Sequence, residues 1–366
     1  MTQSFPPAPL TTIDWDGLSF KASEVNGHVE CRYLKAENAQ WSSPKFVKSP
    51  YLSIHGLSPC LNYGMQAFEG MKAFRHADGR ITVFRPDKNA ARLAKSSRMI
   101  SVPPVPEELF IECVKLAVAA NAEYIPPHGK GAMYIRPLVL GAAPLIGLGV
   151  PDEFIFCVYV TPVGTYHGTK PIDGLIIEDF DRAAPLGTGA TKVGGNYAPV
   201  IKFSNRAHDD GYGITMHLDS KTHTEIDEFS TAGFVGVRKD NGTTTVIVPD
   251  SKCVLDSVTV QSVCHIAKET FGFNVEKRRI PYTELTELDE VMASGTAAVL
   301  VPLKTLTRQS TGDKLSFNVG EDKEGGEVFK QLITTLKGMQ AGDVEDTYGW
   351  NHEVGPAPGG FVEQGN

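Results

Sequence analysis

A single lysine set in a glycine run, Gly187-Thr188-Gly189-Ala190-Thr191-Lys192-Val193-Gly194-Gly195-Asn196-Tyr197, constrains this chain more than any other stretch. Glycines on both sides let another molecule approach the backbone closely, so the lysine can lie in a pocket. An exposed lysine amine has a pKa of ~10.4, and desolvation favours its neutral, nucleophilic form. A neutral amine in a cleft is what condensation with an aldehyde requires. A flexible surface loop carrying a solvated lysine is the competing reading. The run alone does not decide between them.

Length and charge narrow the classes. At 366 residues the chain exceeds the size at which one core keeps growing, which predicts two domains. With 41% hydrophobic and 21% charged residues it has the composition of an ordinary globular protein. A net charge of -8 and a pI near 5.7 argue against nucleic acid or an anionic membrane as the main partner. No apolar run approaches the ~20 residues that span a bilayer. Met1 to Leu10 shows neither a secretory signal nor a mitochondrial presequence, so a cytoplasmic location is expected, with a mitochondrial one left open. Six cysteines without a CxxC pair suit reduced core residues. There is no zinc-ligand spacing, P-loop or GxGxxG, and no metal is expected; His28/Glu30 and His352/Glu353 read as incidental pairs.

Periodicity predicts an α/β (α+β) chain. Met71 to Phe84 reads as a hairpin turning at Ala77-Asp78-Gly79, followed by a helix from Asp87 to about Arg98 and another within Pro106 to Tyr124. Ala132 to Leu140 and Phe154 to Thr161 read as strands. The Gly- and Pro-rich stretch 162–171 reads as a linker. Beyond it come a strand from Leu175, a helix over 199–208, a strand over 214–218, a hairpin at Asp240-Asn241-Gly242, a helix over 257–271 and a late helix carrying Val328 to Met339.

Three features could serve a phosphorylated aldehyde beside Lys192. Leu255-Asp256-Ser257-Val258-Thr259 opens a helix whose first-turn amides form an anion site, although Asp256 or Ser257 can equally be a simple cap. Ser294-Gly295-Thr296-Ala297 follows a strand and exposes amides and a hydroxyl. Glu225, Asp227 and Glu228 form an acidic cluster; a carboxylate a few ångströms from a pyridine nitrogen would keep that ring protonated, with ~4 kcal/mol at an effective dielectric near 20. Each has a bland alternative, respectively a cap, an empty turn and a solvated acidic loop. One cofactor would need all three.

These residues, with Tyr63-Gly64-Met65-Gln66-Ala67-Phe68-Glu69-Gly70-Met71-Lys72-Ala73-Phe74 and Tyr134-Ile135-Arg136-Pro137, make the chain resemble the branched-chain amino-acid aminotransferases, pyridoxal 5'-phosphate enzymes of fold type IV. The resemblance runs from about Trp41 to Val354. It implies a small N-terminal α/β domain over 1–163, an interdomain loop over 164–174 and a large cofactor-binding domain over 175–366. It also implies a homodimer that moves an amino group from leucine, isoleucine or valine to 2-oxoglutarate. Lys192 would be the Schiff-base lysine and proton shuttle, with Lys72 a rival in a strand rather than a glycine loop. Arg92, Ser257, Val258, Thr259, Gly295 and Thr296 would hold the phosphate region, and Tyr197 the phenolic oxygen. Spacing to the following strand selects Glu228 over Glu225 for the pyridine nitrogen. The substrate side would comprise Tyr63, Phe68, Gly70, Tyr134, Arg136, Tyr166, Thr231, Thr296 and Ala297; Tyr134 and Arg136, two apart on a strand, face the same way.

The chain departs from that family in four places. Gly27-His28-Val29-Glu30-Cys31-Arg32-Tyr33 replaces a Phe-Thr-Asp-His-Met-like strand, and Ala298 to Val301 stand where some members carry a redox CxxC. Gly233 takes the place of an Asn and Val260 that of an Arg. The first change bears on donor specificity. The alternatives are an (R)-selective amine transaminase, a lyase of the same fold, and a non-catalytic binder.

Overall fold

The computed structural model describes residues 5–164, 170–358 and 363–364. In chain order its elements are β1 (His28–Leu34), β2 (Lys45–Val47), α1 (Pro59–Tyr63), β3 (Gln66–Phe68), β4 (Met71–Arg75), β5 (Ile81–Phe84), α2 (Pro86–Met99), α3 (Glu107–Ala119), β6 (Gly131–Gly141) and β7 (Glu153–Gly164). Then follow β8 (Ile172–Ile177), α4 (Val200–Asp209), β9 (Ile214–Leu218), β10 (Ile226–Phe229), β11 (Gly233–Asp240), β12 (Thr243–Pro249), α5 (Val258–Glu269), β13 (Asn274–Arg278), β14 (Glu290–Gly295), β15 (Val299–Arg308), β16 (Asp313–Ser316), α6 (Glu327–Ala341), β17 (Asn351–Glu353) and β18 (Glu363–Gln364). Asp87 lies in the first turn of α2 rather than at its cap, because Pro86 already occupies the first helical position. The acidic cluster is not a solvated loop: Ile226 to Phe229 form a buried strand.

The chain divides into two compact units. The first holds Met1–His167, Lys192–Gly194 and Gly338–Asn366; the second holds Gly168–Thr191 and Gly195–Lys337.

The first unit is built on a sheet in the order β17-β5-β4-β6-β7-β1-β2-β18, with β3 also on β6. Alternation along the strands separates its faces. Val29, Cys31, Met133, Ile135, Phe154, Phe156 and Val158 join the core with Leu93, Phe110 and Val114 of α2 and α3. Tyr134, Arg136, Tyr159, His28 and Glu30 occupy the alternate positions. Of the candidate site residues, Tyr134 and Arg136 sit on that face.

The second unit has a sheet in the order β10-β9-β8-β15-β14-β11-β12-β13, with β16 on β15. Its core gathers Met216, Phe229, Phe234, Ile247, Val291 and Leu303. The start of α6 is capped from this sheet: Glu290 on β14 is buried and accepts hydrogen bonds from the amides of Val328 (3.1 Å) and Phe329 (2.9 Å). A side chain at Gly326 would place its Cβ within 2.1 Å of that carboxyl group, so glycine is required there. Glu290→Ala strands two buried donors. An unfolding free energy lower by about 2 kcal/mol is expected in urea titrations; an unchanged midpoint would show the amides satisfied otherwise.

Candidate active site

Lys192 is fixed by its backbone before its side chain is considered. Its amide donates to Ser96 Oγ on α2 (2.8 Å), and its carbonyl accepts from the amide of Phe68 on β3 (3.0 Å). Val193 bridges to Ala67, and both are buried. Gly194 follows closely: a Cβ there would lie 2.8 Å from Gln66 Nε2. The glycine two residues after the lysine therefore permits close packing against the chain's own β3, where the sequence run suggested the approach of another molecule.

The amine of Lys192 lies 4.6 Å from the centre of the Phe68 ring. Its pKa falls from 10.5 to about 8, first through burial and then through the positive charge of Arg92, with Glu69 acting in the opposite direction. Arg92 is held by Glu69 in a two-point pair, Nε to Oε1 and Nη2 to Oε2, both at 2.7 Å. Asn89 donates to the same carboxylate at 2.7 Å. Glu69 and Asn89 were not read as site residues from the sequence, although Glu69 stands inside the Tyr63–Phe74 motif.

Phe68, Tyr134 and Arg136 come together around Lys192. The Arg136 guanidinium lies 5.1 Å from the Phe68 ring centre and donates to the Tyr134 hydroxyl at 3.1 Å. Gly70 makes room for that hydroxyl, since a Cβ would sit 2.2 Å from it. Lys72 pairs in register with Tyr134 across β4 and β6. Tyr63 donates its hydroxyl to the Ile146 carbonyl. Tyr166 lies outside the described residues.

The second unit carries the remaining candidates. Glu228 is buried on β10 and accepts from Arg182 Nη1 and, at 3.2 Å, from the amide of Leu255. Arg182 also donates to the Ser230 carbonyl (3.2 Å) and lies 5.8 Å from the Tyr197 ring centre. Arg182 is a further residue the sequence reading missed; its signal was a charged side chain ten positions before the lysine. Glu225 is only half-buried and pairs with Arg279 at 3.3 Å.

Ser257 caps α5, its Oγ accepting from the Val260 amide at 3.2 Å, and Val258 and Thr259 form a buried first turn behind it. At Gly233 a Cβ would meet Val260 Cγ2 at 2.7 Å, so the two departures from the family pattern are neighbours that fit each other. Gly295 faces Thr231, whose carbonyl lies 3.7 Å from the position of an added Cβ. Ser294 is fully buried and its Oγ has no hydrogen-bond partner among the described residues. Thr296 and Ala297 turn the chain towards Val299, whose φ of 69° is a left-handed value that a β-branched residue rarely adopts. Strain of that kind collects at functional turns.

Residues 66–306 match the family model for class IV amino-transferases. The chain belongs to the class IV aminotransferases. This aminotransferase is 52% identical over 347 residues to the aminotransferase poxL of Penicillium oxalicum, covering 94% of both chains. It is 48% identical to the branched-chain amino acid aminotransferase gloG of Glarea lozoyensis, covering 96% of this chain and 98% of that one. Among solved structures, it is similar to the branched-chain amino acid aminotransferase of Escherichia coli with a TM-score of 0.72 and 25% identity, covering 85% of this chain and 97% of that one. The fold is that of the fold-type IV enzymes.

Among the described residues, no group of three or more histidine, cysteine, aspartate or glutamate side chains could hold a metal ion. No described helix is long and apolar enough to cross a membrane.

The lowered pKa of Lys192 has a measurable cost. In cofactor-free protein the folded chain holds the amine below its ordinary value of 10.5, at about 8. Folding is therefore penalised fully below pH 8, and the penalty fades as pH rises towards 10.5. At ~1.36 kcal/mol per pH unit it is on the order of 3 kcal/mol. Lys192→Met should stabilise the cofactor-free protein at pH 7 and lose that advantage by pH 10.5, in urea unfolding at both values. A variant less stable at pH 7 than at pH 10.5, relative to the parent, would contradict the burial of the amine.

Proposed function

We propose that this enzyme uses pyridoxal 5'-phosphate to transfer the amino group of a branched-chain L-amino acid to 2-oxoglutarate, giving the branched 2-oxo acid and glutamate. The observation that carries the reading is the Lys192 amine, lowered to about 8 among Phe68, Tyr134 and Arg136. The residues fit the cofactor. Lys192 offers an amine with a substantial neutral fraction near pH 8. Glu228 offers a buried carboxylate fixed by Arg182, and the first turn of α5 offers amides to an anion. The orphaned Ser294 hydroxyl, beside Gly295 and Thr296, is a further polar group in want of a partner.

When bound, the cofactor supplies the carbonyl that receives the amino group and a ring that takes up the charge of the deprotonated α-carbon. Lys192 holds the cofactor and, once released, takes the proton from the donor α-carbon at Nζ and returns it, acting as base and then acid. Arg92, kept in place by Glu69 and Asn89, is reserved for the phosphate, together with Val258, Thr259 and Thr296. Tyr197 is assigned to the cofactor's phenolic oxygen. Tyr134 and Arg136 orient the donor carboxylate, a charge-assisted contact. Thr231 and Ala297 belong to the same substrate side.

A homodimer accompanies this reading. Leu61, Tyr63, Ile146 and Leu148 are exposed apolar residues on segments tied together by the Tyr63 and Leu145 hydrogen bonds. An apolar surface of that kind suits a second copy of the chain. A cytoplasmic location is consistent with six free thiols.

The test is a donor screen with purified holoenzyme, scoring glutamate formation from leucine, isoleucine and valine with 2-oxoglutarate. Turnover of all three is expected, with Lys192→Ala at least ~100-fold slower. Turnover of (R)-1-phenylethylamine without turnover of leucine would replace the proposed donor class.

A further inference from the structure

Glu228 owes its direction to a one-residue irregularity in β10, and the residue it is brought to face is His217. Ile226 pairs with Leu218 and Glu228 with His217, so Asp227 is an extra residue, a β-bulge. Leu218, Met216, Ile226 and Phe229 all lie in the apolar core of the second unit. In an unbroken ladder Glu228 would stand opposite Met216 and enter that core with it. The bulge turns it to the other face, directly across from His217.

That face carries a closed set of polar contacts. Arg182 donates through Nη1 to Glu228 and through Nε to the Ser230 carbonyl, the latter at 3.2 Å. The Ser230 hydroxyl lies 2.7 Å from His217 Nε2 and also meets the Thr215 hydroxyl. His217, Ser230, Arg182 and Glu228 are all buried. Packing alone does not fix the Ser230 side chain, because with Ser204, Thr215 and Thr231 it lines a cavity of about 140 Å³. Its hydrogen bonds set the direction of the hydroxyl. The His217 ring is itself held edge-to-face by Phe180, centres 6.0 Å apart, and Phe180 stacks on Phe203. Burial first, and then the positive charge of Arg182, bring the imidazole pKa from 6.5 down to about 4. At neutral pH the ring is therefore uncharged, and the carboxylate is left to Arg182.

We infer that His217 is a positioning residue for the Glu228 carboxylate, acting through the Ser230 hydroxyl and the Arg182 guanidinium. The inference rests on the reading of Glu228 as the partner of the cofactor's ring nitrogen. A guanidinium held at both Nε and Nη1 has one orientation, and it gives the carboxylate one orientation too. Without the imidazole, Ser230 is free to turn into the cavity. Its peptide then no longer keeps Arg182 Nε in line, and the grip on Glu228 loosens.

The test uses holoenzyme of the parent and of His217→Phe, which keeps a ring against Phe180 and removes Nε2. The expected result is a kcat for leucine about tenfold lower with KM within about twofold, the size of one lost hydrogen bond. The pH midpoint of the bound cofactor's visible absorbance, read without substrate, should rise by at least about 0.5 unit, because a ring nitrogen less firmly protonated draws less charge from the Lys192 nitrogen. Ser230→Ala should reproduce both changes, and the double variant should be no worse than either single one. His217→Gln, whose amide can meet the same hydroxyl, should stay within about twofold of the parent. Where the phenylalanine variant folds poorly by circular dichroism, Ser230→Ala and His217→Gln carry the comparison. Parental values in Ser230→Ala, multiplying effects in the double variant, or a glutamine variant as impaired as the alanine one would each overturn the inference. Absence of turnover with every amino acid tested, by a parent that keeps its visible band, refutes the aminotransferase reading instead.

Discussion

The position of one backbone segment governs what this protein can do. Lys192 to Gly194 belong to the first unit while the residues on either side belong to the second. Two hydrogen bonds, from Lys192 to Ser96 and from Phe68 to Lys192, and the buried bridge between Val193 and Ala67, hold the segment in place. A lysine fixed in this way has little freedom to withdraw its amine into water. Its lowered pKa follows from that loss of freedom, because burial acts first and the Arg92 charge second.

The charges around it are arranged so that each has a partner. Arg92 would be a costly buried cation without Glu69, and Glu69 a costly buried anion without Arg92 and Asn89. The second unit repeats the device with Glu228, Arg182 and the Leu255 amide. In both units a carboxylate is fixed by a guanidinium, and a residue of the candidate site is fixed with it. These pairs position functional groups; their net contribution to stability is small by comparison.

The glycine-flanked lysine was legible because a buried lysine on a closely packed segment imposes backbone requirements that few neighbouring residues meet. The strands were legible because β-branched and aromatic residues alternate along 131–141 and 153–164. Spacing distinguished Glu228 from Glu225, and burial separates the two in the same sense. What was not legible were the partners. Glu69 and Asn89 lie 23 and 3 residues before Arg92, and Arg182 lies 46 before Glu228; nothing in the local pattern ties such residues together until the fold does.

The ε-amine of Lys192 is the one proposed to bind the aldehyde. Borohydride reduction of the holoenzyme fixes the cofactor to whichever amine holds it, and mass mapping of the labelled peptide then names that residue. A single label is expected, on the peptide containing Lys192. A label on Lys72, or on any other lysine, would contradict it.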